Sequence, residues 1–126
     1  MKNAISQKRI VVCDDDVDIM RELFALLFRD RLKNVEFCFA ASSNEAWSFF
    51  ERGKIDLMTT DLVRPEGDPV EFIRRVKQVY PDTEVIVFSG SRKPYSDALA
   101  AGASREFNKP NDFKALADYL LEWSGV

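Results

Sequence analysis

The sequence predicts an α/β domain, doubly wound, with a five-stranded parallel sheet covered by five helices. Two observations carry this. Short apolar runs alternate with amphipathic stretches of helical period, the pattern of repeated strand-helix units that build a parallel sheet covered on both faces. The 126 residues, 46% of them hydrophobic, supply one sizeable core and leave no comfortable room for a second. A single domain over residues 1–126 is expected, with an ordered core from about 9 to 123.

The strands are read at Arg9 to Asp14, Val35 to Ala40, Ile55 to Thr60, Glu84 to Ser89 and a short Ser104 to Asn108. All but the last are rich in β-branched or aromatic residues. Between them the first helix runs from Val17 to Arg31, and the second from Asn44 to Arg52 with Ser43 as cap and Gly53 as stop. The third spans Pro69 to Tyr80, with Asp68 before a first-turn proline. The fourth, roughly Pro94 to Ala101, stops at Gly102 and is about two turns long. The last runs from Phe113 to Trp123 behind Asp112. Phe24, Phe28, Trp47, Phe49 and Phe50 have the helical spacing of core residues, although part of the stripe Met20, Phe24, Leu27 is wide enough to leave apolar surface exposed.

Composition narrows the function. A net charge of -3 gives no overall pull toward nucleic acid or an anionic membrane. The polar start, Met1 to Arg9, is unlike a signal peptide, and no apolar run approaches a membrane span, so a soluble cytoplasmic protein is expected. Cys13 and Cys38 lie in strand-like segments, belong to no CxxC pair and read as core. The chain has no histidine, which excludes His-based triads, His metal sites and a phosphohistidine on this chain.

Right-handed crossovers place the carboxyl end of every strand on one edge of the sheet, where ligands of such folds bind. The residues at those ends are Asp14-Asp15-Asp16, Ser42-Ser43, Asp61, Ser89-Gly90-Ser91 and Lys109-Pro110. Three adjacent carboxylates after a buried strand repel one another unless a cation shares the site, and all-oxygen ligands suit Mg²⁺. A hydroxyl, a lysine and carboxylates converging on such a metal suit phosphoryl transfer, which is mainly positioning and charge neutralisation.

In these motifs the chain resembles the receiver domain of two-component response regulators. The segment VVCDDDVDIMREL looks like that family's first acidic motif, IDLMTTDLVRP its phosphoacceptor strand and loop, VIVFSGS its hydroxyl motif and FNKPND its lysine-proline motif. The resemblance covers about Arg9 to Trp123 and implies a flavodoxin-like sheet of order 2-1-3-4-5. It implies that Asp61 is phosphorylated by a kinase phosphohistidine with Mg²⁺, the aspartate acting as carboxylate nucleophile. Asp14 and Asp15 would hold the metal together with Asp61 and the backbone carbonyl of Val63, Asp15 being the more direct ligand of the pair. Lys109 would pair with the phosphoryl oxygens and Ser89 would hydrogen-bond to them. Pro65 and Pro110 match loop prolines, the latter commonly after a cis peptide bond. Asp16 is better explained as a first-turn acid of the helix that follows. The implied partner is a sensor histidine kinase or a histidine phosphotransfer protein, docking beside the first helix; the downstream target and a homodimer stay open. The implied role is a signalling acceptor, not an enzyme.

Three departures from the family pattern bear on signalling. The stretch from Ser89 to Lys109 is about two residues short, Glu106 stands where an aromatic is common with Phe107 next to it, and Asp68-Pro69 replaces a glycine-containing turn. Three other readings fit the sequence less well. A haloacid-dehalogenase-like phosphatase would use Asp14 as nucleophile, but it would leave Asp61 unused and lacks a further acidic motif after Lys109. A receiver-like module that signals without phosphorylation is disfavoured by Asp61, the acidic pair and Lys109. An EF-hand loop from Asp14 fails at Ile19, where glycine is required, and at Ala25, where glutamate is required.

Overall fold

The computed structural model describes residues 7–29, 31–64, 67–90 and 95–125. Strands and helices alternate along the chain: β1 (Lys8–Cys13), α1 (Val17–Phe28), β2 (Val35–Ala40), α2 (Ser43–Glu51), β3 (Leu57–Thr60), α3 (Pro69–Val79), β4 (Glu84–Ser89), α4 (Tyr95–Ala101), β5 (Arg105–Asn108) and α5 (Phe113–Ser124). The strands form one sheet of order β2-β1-β3-β4-β5, all neighbours parallel. The predicted fold class and strand order are therefore those of the protein.

Because alternate residues of a strand face opposite sides, each central strand supplies two cores. Val11, Met58, Val85 and Val87 pack under Phe50 of α2, Ile73 and Val76 of α3 and Ala98 of α4. Ile10, Val12, Leu57, Ile86 and Phe88 pack under Met20 and Phe24 of α1 and Leu116 and Leu120 of α5. Burial on both faces explains why these strands read as near-continuous apolar runs. Phe24, Phe28 and Phe50 are buried, while Trp47 and Phe49 are half-buried against the first core. Cys13 and Cys38 are free and buried, as expected of core thiols.

Several element ends differ from the sequence reading, each for a local reason. The first helix stops at Phe28, not Arg31, because Arg29 leaves helical geometry at a positive φ of 44. The chain must turn there so that Leu32 is buried and Val35 enters β2 beside Lys8. The second helix is capped by Ser42, whose Oγ accepts from Glu45 N at 3.1 Å, while Glu45 Oε1 accepts from Ala41 N at 2.7 Å. Ser43 is thereby released from capping. The third strand starts at Leu57, not Ile55, because the Asp56 carboxylate accepts the Arg9 N–H at 2.9 Å, in place of a backbone carbonyl. The fifth starts at Arg105, one residue later than read. Asp112 precedes the last helix as read but does not cap it; its Oδ2 accepts from Asn108 N at 2.9 Å. Asp68 does cap its helix, accepting from Val70 N and Glu71 N with Pro69 in the first turn. Pro65, Ser91 and the Pro94 start of the fourth helix lie outside the described residues.

Candidate phosphoacceptor site

Every strand of the parallel sheet delivers its carboxyl end to one edge, and the candidate residues lie there. Asp14 follows β1 and extends its ladder, donating its N–H to Ala40 O at 2.9 Å. Its side chain is buried, Oδ1 accepting from Asp16 N at 2.9 Å and Oδ2 from the Lys109 ammonium. Asp15 and Asp16 are exposed, and the three carboxylates each offer an oxygen within 4.8 Å of the others. Three hard oxygen donors at that spacing, one buried, fit a small divalent cation such as Mg²⁺.

Asp61 follows β3, whose four residues are all buried, and is itself only 4% exposed. Its backbone N–H donates to Cys13 O at 3.3 Å, tying it to the strand that carries the acidic triplet. Ser89, at the end of β4, accepts the Leu62 N–H at 3.3 Å on its Oγ. Lys109 directly follows β5 and is joined to Pro110 by a cis bond, and its Nζ lies 5.5 Å from the Phe88 ring centroid. The fold thus gathers Asp14, Asp61, Ser89 and Lys109, residues spread over most of the chain. Val63 points outward, with 53% of its surface exposed.

One residue of the site was not legible in the sequence. Arg64 is buried, and its Nη1 donates to Asp61 Oδ1 at 2.5 Å and to Thr60 Oγ1 at 3.0 Å. Its Nη2 donates to Ser43 Oγ at 2.5 Å. At this edge, then, Lys109 balances Asp14 and Arg64 balances Asp61. The only signal available in the sequence was a guanidinium three residues beyond the phosphoacceptor candidate.

Burial pushes the Asp61 carboxyl up from its ordinary 3.8 to about 7; the Arg64 guanidinium opposes this, Asp14 adds to it and Lys109 opposes it. Desolvation outweighs the ion pair, as happens for charges withdrawn from water. The same burial pushes the Cys13 thiol up to about 12. On the α4 side of β5, Glu106 is partly buried and faces Tyr95, whose hydroxyl is pushed up by burial first and Glu106 second. Phe107 turns to the other face, its ring centroid 6.0 Å from that of Tyr119. An aromatic ring does occupy the α4 side, but the helix supplies it.

Comparison with known proteins agrees with this geometry. The family model described as the response regulator receiver domain matches residues 10–121. CpdR, a response regulator receiver protein of Brucella abortus, is 32% identical over 110 residues, covering 87% of this chain and 83% of CpdR. The transcriptional regulator NtrC of Azospirillum brasilense is 32% identical over 118 residues, covering 92% of this chain and 24% of NtrC. The chain therefore spans about a quarter of that longer relative's length. A CheY-like receiver domain from Methanospirillum hungatei superposes with a TM-score of 0.80 at 24% identity, over 95% of each chain. That likeness shows the shared fold. The match from Ile10 to Leu121, on a sheet that gathers these four motifs at one edge, places the chain in the receiver-domain family of two-component response regulators.

Proposed function

We propose that the chain accepts a phosphoryl group on Asp61 from the phosphohistidine of a sensor kinase or a histidine phosphotransfer protein. The observation that carries this is the position of Asp61: a buried carboxylate just past β3, with the acidic triplet and Lys109 converging beside it. Among the described residues, Oδ1 takes the Arg64 hydrogen bond and Oδ2 takes none, whereas both oxygens of Asp14 are engaged. Asp61 is thus the better nucleophile of the two, which disfavours the phosphatase reading. Its carboxylate oxygen forms a bond to phosphorus as the N–P bond of the phosphohistidine breaks. The imidazole nitrogen keeps the electron pair and takes a proton, leaving a mixed anhydride on Asp61.

Asp14 and Asp15, with Asp61 and the Val63 carbonyl, would hold Mg²⁺, which when bound neutralises charge on the phosphoryl oxygens. Lys109 would exchange Asp14 for a phosphoryl oxygen, and the Ser89 hydroxyl would donate to another, carrying the change to β4. Ile19 and Leu26 leave apolar surface on the outer side of α1, where the histidine-bearing partner would dock. No helix among the described residues is long and apolar enough to cross a membrane, in keeping with a cytoplasmic role. We read the molecule as a single receiver unit that changes its signalling face, not as a turnover enzyme. Incubation with a small acyl phosphate and Mg²⁺ should add one phosphoryl group by intact mass, and Asp61→Asn should add none. Equal labelling of both proteins would remove Asp61 from this role.

A further inference from the structure

The Arg64 side chain is 1% exposed, yet its charge is permanent, because a guanidinium does not deprotonate in a protein. Of its contacts, the one to Asp61 Oδ1 is ionic; those to Thr60 Oγ1 and Ser43 Oγ are neutral. Its Cζ lies 6.0 Å from the Phe72 ring centroid, so α3 closes the remaining side. The Nε is buried with no hydrogen-bond partner among the described residues. The guanidinium is therefore held in a pocket made by three different elements, with Asp61 as its sole counter-charge among the described residues.

That arrangement creates a conflict with the chemistry of the site. A cation bound at the acidic triplet and sharing Asp61 would meet a second cation already on the same carboxylate. Two positive charges on one buried carboxylate repel strongly where the dielectric is low. One must withdraw. The Ser43 and Thr60 hydroxyls lie off the carboxylate and can keep hold of Nη1 and Nη2 when Asp61 is given up, so release does not strand the guanidinium.

We propose that Arg64 is the resting counter-ion of Asp61, a positioning residue that competes with the divalent cation for this carboxylate and so sets the cation concentration at which the site becomes competent. This rests on the reading of Asp61 as the phosphoacceptor. It makes the metal-free site self-sealed: without the divalent cation, Arg64 holds one oxygen of the nucleophile.

A double-mutant cycle read by calorimetry tests it, using Mg²⁺ as the probe on the parent, Arg64→Met, Asp61→Asn and the double variant. Direct competition predicts that Arg64→Met tightens Mg²⁺ binding by about tenfold in the parent and by no more than about twofold when Asp61 is already Asn. Equal tightening in both backgrounds would show only a long-range charge effect and overturn the proposal, as would no tightening in the parent. A second measurement needs no Arg64 variant. In the parent, saturating Mg²⁺ should shift the Arg64 Nε and Nη resonances, and in Asp61→Asn it should leave them in place. Unmoved resonances in the parent would equally overturn the competition. Acyl-phosphate labelling of Asp61→Asn reports separately on Asp61: persistent labelling removes the phosphoacceptor reading, whatever the calorimetry gives.

Discussion

The Lys109 ammonium rests on the carboxylate of Asp14, joining the loop after β5 to the end of β1 across the top of the sheet. The two strands are not neighbours, since β3 and β4 lie between them. The ion pair therefore ties the end of an edge strand to that of an interior one, and it is the contact that phosphorylation would take apart. Lys109→Met should leave Asp14 buried without its counter-charge. Because the Lys109 side chain is partly solvated, the loss is put at about 1–2 kcal/mol in metal-free protein, below the cost of breaking a fully buried pair. Saturating Mg²⁺ should reduce that loss, since the cation supplies the missing charge. Urea unfolding with and without Mg²⁺ reads both; an equal loss in both conditions would mean that the metal does not share Asp14.

Asp61 makes a second prediction, with a definite sign. Its carboxyl is pushed up from 3.8 to about 7, first by burial, with Arg64 acting in the opposite direction. A carboxyl raised in the folded state favours folding while protonated, so its contribution is fully present below about pH 4 and is lost as pH rises through 7. Carbon-13 titration of the Asp61 carboxyl in metal-free protein should find its midpoint far above the ordinary carboxylate range. Arg64→Met should move it higher still, because it removes the charge that favours the ionised form. A midpoint near 3.8 in the parent would show that the guanidinium, not desolvation, governs this group.

The lifetime of the phosphorylated state depends on how an attacking water is held beside Asp61. Val63, two residues beyond it, is exposed, and its side chain has no donor or acceptor with which to orient that water. Phospho-Asp61 should therefore hydrolyse slowly, and Val63→Asn should shorten its lifetime severalfold. Mg²⁺ affinity should stay unchanged, because the expected ligand at this position is a backbone carbonyl. Loss of label over time, followed by intact mass on both proteins, checks this; equal decay would place water control elsewhere.

The strands and the site's four motifs were legible because each states its own physics. Leu57 to Thr60 is buried on both faces and reads as an apolar run ending in a carboxylate. Ser89 was legible because it closes a strand, and Lys109 because it follows one and precedes a proline. Arg64 was hidden, since an arginine between Val63 and Pro65 is by default a solvated side chain. Among the groups that enclose it is Ser43, at the start of α2 and far back in the chain, and Ser43 itself reads as a helix cap. Only the structure shows Ser42 taking the cap and leaving Ser43 to the guanidinium. The end of α1 was equally hidden: Arg29 adopts a positive φ without the glycine or asparagine that would announce it.

The central claim is that the phosphoryl group forms a mixed anhydride on Asp61, and reductive trapping tests it most directly. After incubation with a small acyl phosphate and Mg²⁺, borohydride reduces an aspartyl phosphate to homoserine and releases the phosphate. Peptide mass mapping then reads the modified position. The account predicts homoserine at position 61 and unmodified aspartate at 14, 15 and 16. Homoserine at position 14 in place of 61 would contradict it and point to the phosphatase-like nucleophile.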